Sequence, residues 1–240
     1  MDQREELVVL EQISQNNLYL KNMNYLVSEY TDLIFSRYMK NDGTVLELGP
    51  AEGVMTEKLI KRCDDLTVVE GSKIFCEKIS NRFPEINVIH SLIEDFKPNR
   101  KFDNIILGHV LEHVYDPIQI LSLVKSWLSE NGKVFAAVPN SRSLHRQAGV
   151  MMGLLDDEKQ LNELDLQHGH RRVYDPESFK GDFLSAGYKI DVFGGYLVKL
   201  LSNKQIEKNW DPDLIKACFK LGELYPDIAA DIYIVASNFR

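Results

Sequence analysis

The hydrophobic pattern of this chain changes period near residue 44. Before that point, apolar residues including Leu18, Leu20, Tyr25, Leu26, Tyr30 and Ile34 are interspersed with polar ones, and no Pro or Gly precedes Gly43. Residues 5–40 are therefore predicted helical, with "NDG" at 41–43 as a turn. From Thr44 onward, short apolar runs alternate with longer amphipathic ones. Strands are predicted at 44–48, 66–71, 86–90, 102–110 and 132–139, with helices at 55–63, 72–83 and 117–128 between them. Strands that read as continuous apolar runs, alternating with helices, imply a parallel sheet covered on both faces. Right-handed crossovers make such a sheet doubly wound, an α/β fold.

Two stretches break the rhythm. Residues 140–175 are polar, with three histidines and four arginines, and a connection of that length reads as a lid or acceptor-binding insertion. Residues 196–228 form a second insertion, helical around 212–224. Two further strands, 188–195 and 230–237, close the pattern, the last expected antiparallel because no crossover helix need follow it. We expect one domain over 1–240: a helical cover at 1–43, a cofactor-binding half at 44–139, the insertion at 140–175 and a C-terminal half at 176–240.

Composition narrows the function classes. With 44% hydrophobic and 27% charged residues the chain is an ordinary globular one, and its formal net charge of −8 argues against a broad nucleic-acid-binding surface. No apolar run approaches a membrane span. The three cysteines, Cys63, Cys76 and Cys218, have no metal or redox spacing, which fits a reducing cytoplasm.

The candidate chemistry starts at "TVLELGPAEG" (44–53). Gly49 and Gly53, with Pro50 between them, give a sharp turn at the end of the first strand, where doubly wound sheets bind ligands. The spacing is not the G-x-G-x-x-G of dinucleotide folds, and Glu47 at the mouth would repel clustered phosphates. A cationic ligand suits it better. S-adenosylmethionine carries an ammonium, a sulfonium and an adenosine, and no phosphate. Glu70 in "TVVEGS" ends the second strand 21 residues after Gly49, a separation at which an acid accepts ribose hydroxyls, with Gly71 and Ser72 following. After the third strand, "HSLIEDF" offers Leu92 and Ile93 as an apolar slot for adenine.

Taken in order, "VLELGPAEG", "VVEGS", "SLIEDF", "FDNIILGHVLEHVYDP", "GKVFAAVPN" and "HRRVYDPESFKGDFLSAGY" resemble the class I S-adenosylmethionine-dependent methyltransferases over about 44–195, with "ADIYIVASN" similar to their final strand. The resemblance implies a seven-stranded sheet in the order 3-2-1-4-5-7-6. It also implies that Glu47, Gly49 and Gly53 hold the methionine part, that Glu70 holds the ribose, and that His109 touches the cofactor. Where many members place an acid after the third strand, Leu92 stands here, so adenine contact through backbone and packing is expected.

On the acceptor side, an alcohol must lose a proton, which a base titrating near neutrality assists. His113, in the connection after the fourth strand, is the candidate. Asp116-Pro117 and Asp175-Pro176 read as helix starts. His168, His170, Arg171 and Tyr174 of "HGHRRVYD", with Tyr19 from the helical cover, are candidate acceptor-binding residues. The histidine pair shows no further ligand by spacing, so no metal is expected. The reading is a cytoplasmic methyltransferase directed at a hydroxyl or amine of a small molecule, such as a sugar or sugar-linked metabolite of surface polysaccharide synthesis, and able to form a homodimer. A non-catalytic cofactor-binding relative is the alternative.

Overall fold

The computed structural model describes residues 3–15 and 22–239, with side chains from residue 7 onward. Seven strands form one sheet in the order β3-β2-β1-β4-β5-β7-β6. They are β1 (Val45–Leu48), β2 (Leu66–Glu70), β3 (Asn87–His90), β4 (Phe102–Gly108), β5 (Leu128–Pro139), β6 (Tyr188–Tyr196) and β7 (Asp231–Asn238). β1 to β5 pair in parallel, while β7 runs antiparallel to both β5 and β6. Order and direction both follow the expectation.

Ten α-helices accompany the sheet among the described residues: α1 (Gln3–Ser14), α2 (Asn22–Ser36), α3 (Val54–Leu59), α4 (Lys73–Arg82), α5 (Pro117–Trp127), α6 (Leu144–Met151), α7 (Glu163–His168), α8 (Pro176–Ser185), α9 (Asn203–Asn209) and α10 (Pro212–Leu224). Alternation along each strand splits the core into two faces. Leu46, Leu48, Ile105 and Leu107 pack with Ile120, Leu121 and Val124 of α5 and Phe179 and Phe183 of α8. Val45, Val68, Ile106 and Phe135 pack with Ile34 and Phe35 of α2, Leu59 of α3 and Phe219 of α10. α10 approaches β6 so closely that a Cβ on Gly222 would stand 2.3 Å from the Leu197 nitrogen.

The helix starts follow side-chain chemistry. Asp116 accepts from the Gln119 amide at 2.9 Å ahead of Pro117, and Asp175 from the Ser178 amide at 2.7 Å ahead of Pro176. Three expectations are corrected. Among the described residues the N-terminal segment forms two helices, α1 ending at Ser14 and α2 beginning at Asn22, where one was expected. The insertion at 140–175 is not a bare loop, because it carries α6 and α7. Finally, β5 begins at Leu128, directly after α5, and a register shift between Phe102 and Asn104 absorbs the extra residues. Gly132 hid this start, since its missing side chain reads as a turn but is what lets the strand pass close to β4: a Cβ there would stand 2.7 Å from the Phe102 carbonyl oxygen.

Phe179 is fully buried between Tyr174 and Phe183, with ring centroids 5.4 and 5.5 Å away. Phe179→Ala is expected to cost about 3–5 kcal/mol, read as a lowered urea midpoint. A loss below about 1 kcal/mol would contradict this packing.

Candidate functional site

A cavity of about 360 Å³ opens at the carboxyl ends of β1, β2 and β4. This is where an open α/β sheet places its ligands. Glu47, on the same face of β1 as Val45, points toward α3 and accepts a hydrogen bond from Thr56 Oγ1 at 2.6 Å. It is 2% exposed, and burial pushes its carboxyl up to about 8 against the opposing Thr56 bond. Glu70, at the tip of β2, is 4% exposed. Its two oxygens accept from the Ser72 amide at 2.8 Å and the Ala51 amide at 3.2 Å, tying together the turns after β1 and β2. Burial raises it to about 7 despite those amides. No Lys or Arg pairs with either acid among the described residues.

Gly49 adopts φ +63° and turns the chain beneath the cavity, with Val110 3.1 Å from where its Cβ would be. Pro50, Gly71, Leu92 and Ile93 also line the cavity. Gly53 and Ser72 do not. Gly53 packs toward Phe83 and Ile79, and Ser72 caps α4 by accepting from the Phe75 amide at 3.2 Å. Ser72 also donates to Glu11 at 3.0 Å, and Glu11 accepts from the Lys73 amide at 2.7 Å, which docks α1 on the start of α4. Leu10 and Ile13 of α1 and Asn24, Val27 and Ser28 of α2 close over the cavity. Tyr30 of α2 is a packing residue: it stacks on Phe219 at 4.6 Å and donates to Glu223 at 2.5 Å. Tyr19 lies outside the described residues.

The far end of the cavity is built from the turn after β4 and the segment after α7. His109 sits at φ +59°, a conformation rare for a residue with a side chain, and donates its amide to the Ala137 carbonyl at 2.9 Å. Its ring lies 3.1 Å from Tyr196 Oη and 3.4 Å from Glu112 Oε1. His113 lines the cavity with its ring 4.8 Å from that of His170, and burial pushes it down to about 4. His168 and His170 line the cavity as well. Arg171 and Tyr174 do not. Arg171 donates through Nε to the His113 carbonyl at 2.6 Å and through its amide to the Glu112 carbonyl at 2.9 Å. Arg172 bonds the carbonyls of Leu111, Val114 and Tyr115. The two arginines thus clamp the turn that carries Glu112 and His113. Tyr174 is buried and donates to Asp182 at 2.8 Å.

Sequence reasoning missed Glu112, which is fully buried and faces the cavity, and Lys199, buried and pushed down to about 8. Glu112 had a local signal, an acid between two histidines of one turn. Lys199 had none, since the loop after β6 brings it in from a segment of unremarkable pattern.

A methyltransferase-domain family profile matches residues 19–191. Curated relatives align over short stretches only. The ribosomal RNA small subunit methyltransferase A of Chlorobium chlorochromatii is 33% identical over 90 residues, 31% of this chain and 34% of that protein. The chain's match thus spans about a third of that relative's length. Solved structures align over nearly the whole chain. The N-methyltransferase NodS from Bradyrhizobium japonicum, in complex with S-adenosylhomocysteine, has a TM-score of 0.63 at 15% identity, over 98% of this chain and 99% of that one. The 1,6-didemethyltoxoflavin-N1-methyltransferase of Burkholderia thailandensis has a TM-score of 0.66 at 10% identity, over 100% and 92%. With a profile covering well over half its length and the sheet order described above, the chain belongs to the methyltransferase-domain family and has the class I Rossmann-like fold of the S-adenosylmethionine-dependent enzymes.

Proposed function

We propose that this protein transfers the methyl group of S-adenosylmethionine to a hydroxyl or amine of a polar small molecule, of the size and character of a sugar or sugar-linked metabolite. The observation that carries this reading is one cavity with two buried, unpaired carboxylates at one end and a histidine cluster at the other. S-adenosylmethionine supplies a methyl group already activated on a sulfonium, so the protein's work is alignment.

The residues present fit the cofactor. Glu47 offers a negative charge for the ammonium. Glu70 uses one lone pair on each oxygen for backbone amides, and a carboxylate has about four acceptor sites, which leaves two for ribose hydroxyls. Leu92 and Ile93 give adenine an apolar wall. On the acceptor side we assign the handling of the acceptor's proton to the cluster around His113. Lys199, Asp231 and Asn140 make the remaining wall polar, which suits a hydroxylated acceptor. The segment 140–175, with α6 and α7, acts as the acceptor wall, contributing His145, His168 and His170. The net charge of −8 favours a small acceptor over a nucleic acid.

Three measurements test this. Glu47→Gln and Glu70→Gln should each weaken S-adenosylhomocysteine binding by about 1.5–3 kcal/mol in calorimetry. Unchanged affinity in both would remove the acids from the site. Because the free carboxyls lie near 8 and 7, receiving the ammonium at Glu47 and the ribose hydroxyls at Glu70 as carboxylates requires them to release protons. Affinity should therefore rise between about pH 6 and pH 8, by up to about tenfold per unit for each group still protonated, with protons released into the buffer. Affinity flat or falling with pH would contradict that coupling. His113→Ala should lower kcat by roughly 100-fold or more while leaving cofactor affinity within about twofold. An unchanged kcat takes His113 out of the chemistry, and cofactor binding without transfer to any acceptor in a broad panel would mark a binding protein.

A further inference from the structure

We propose that Glu112, His113 and His170 form a divalent transition-metal site at the acceptor end of the cavity, and that the metal holds the hydroxyl oxygen of the acceptor. This rests on the methyl-transfer reading above and narrows its acceptor to an alcohol.

One ligand atom from each of the three residues lies within 4.8 Å of the other two. They come from two separate segments, the turn after β4 and the residues after α7. Glu112 carries the strongest signal. It is fully buried, and neither of its carboxylate oxygens has a well-aligned hydrogen bond. Its ion-pair contact among the described residues is His109 Nδ1, at 3.4 Å. A buried carboxylate without an Arg or Lys partner is costly unless some other cation balances it.

The surroundings match those of a ligand set. A histidine that binds a metal usually gives its other ring nitrogen to a carbonyl or carboxylate, which fixes the ring. His113 bonds the Gly169 backbone, and His170 Nδ1 lies 3.3 Å from Asp165 Oδ1. Asp165 is itself held by Arg146 at 3.1 Å and by the amide of Asn162 at 3.0 Å. The turn bearing Glu112 and His113 is clamped by Arg171 and Arg172. All three proposed ligands line the cavity, so a metal here faces the acceptor space with open coordination positions, as catalytic centres do. Two imidazoles and one carboxylate suit Zn²⁺, Mn²⁺, Fe²⁺ or Co²⁺. At bond lengths of about 2.0–2.2 Å the donors must draw together by up to about 1.5 Å, a shift shared among three side chains.

A metal here lowers the pKa of the hydroxyl it binds. The proton leaves to solvent, and the oxygen uses the electron pair it keeps to form the new O–CH₃ bond as the S–CH₃ bond breaks, whose electrons stay on the sulfur of the departing S-adenosylhomocysteine. His113 thereby handles the acceptor's proton as a ligand.

The full chain, stripped with a chelator and dialysed, is titrated with Zn²⁺ and, separately, with Co²⁺. We expect about one metal per chain and a visible ligand-field spectrum with Co²⁺. Glu112→Gln and His170→Ala should each weaken Zn²⁺ binding at least tenfold. S-adenosylhomocysteine affinity and the thermal midpoint, measured on the same preparations, report whether the fold is intact. Absence of metal binding in the wild type, or binding that both folded variants retain, overturns the site. If the wild type binds S-adenosylhomocysteine but no metal, the metal site falls and the methyltransferase reading stands. If it binds metal but not S-adenosylhomocysteine, the reading on which this inference rests falls.

Discussion

Two carboxylic acids held out of water at the tips of adjacent strands are the constraint around which this molecule is organised. Glu47 has one hydroxyl donor and Glu70 two amide donors, and no Lys or Arg pairs with either among the described residues. Neutral donors do not match the cost of burying an anion, so both acids sit well above the usual carboxylate range. A fold optimised for stability alone would place apolar side chains there. The acids make sense when a ligand brings positive charge and hydroxyl donors to them. A pyrophosphate would meet repulsion in the same place.

The rest of the architecture serves that arrangement. Parallel pairing of β1 with β2 and β4 brings three strand ends to one level, so that the turns carrying Gly49, Gly71 and His109 face a common space. Two of the five positive-φ residues with side chains among the described residues, Ala51 and His109, lie there. Glu70 joins two of the turns, and Arg171 with Arg172 reaches back to hold the third. The segment after α7 therefore supports the turn after β4 as well as walling the cavity.

Much of this was legible in the sequence because it is local. A strand that ends in an acid and a glycine turn, or an Asp-Pro that opens a helix, declares itself within a few residues. Glu47, Gly49, Glu70, Asp116 and Asp175 were readable for that reason, and a parallel apolar strand reads as an uninterrupted run. What could not be read depends on which distant segments meet. Arg171 read as an acceptor-binding side chain, yet its guanidinium bonds the His113 carbonyl. Tyr174 lies in the same run but turns into the core. Glu112 and His170 are far apart in sequence, and only the fold brings them together. The end of α1 at Ser14 has no Pro or Gly beside it, so propensity could not place it.

The position of β7 has a consequence for how the molecule is made. It is the last strand in chain order, yet it sits inside the sheet, between β5 and β6. Until it arrives, the facing edges of those two strands have no partner, and β6 belongs to no ladder at all. During synthesis the nascent chain must carry two open sheet edges until its final strand leaves the ribosome, an interval in which pairing with another chain competes with closure.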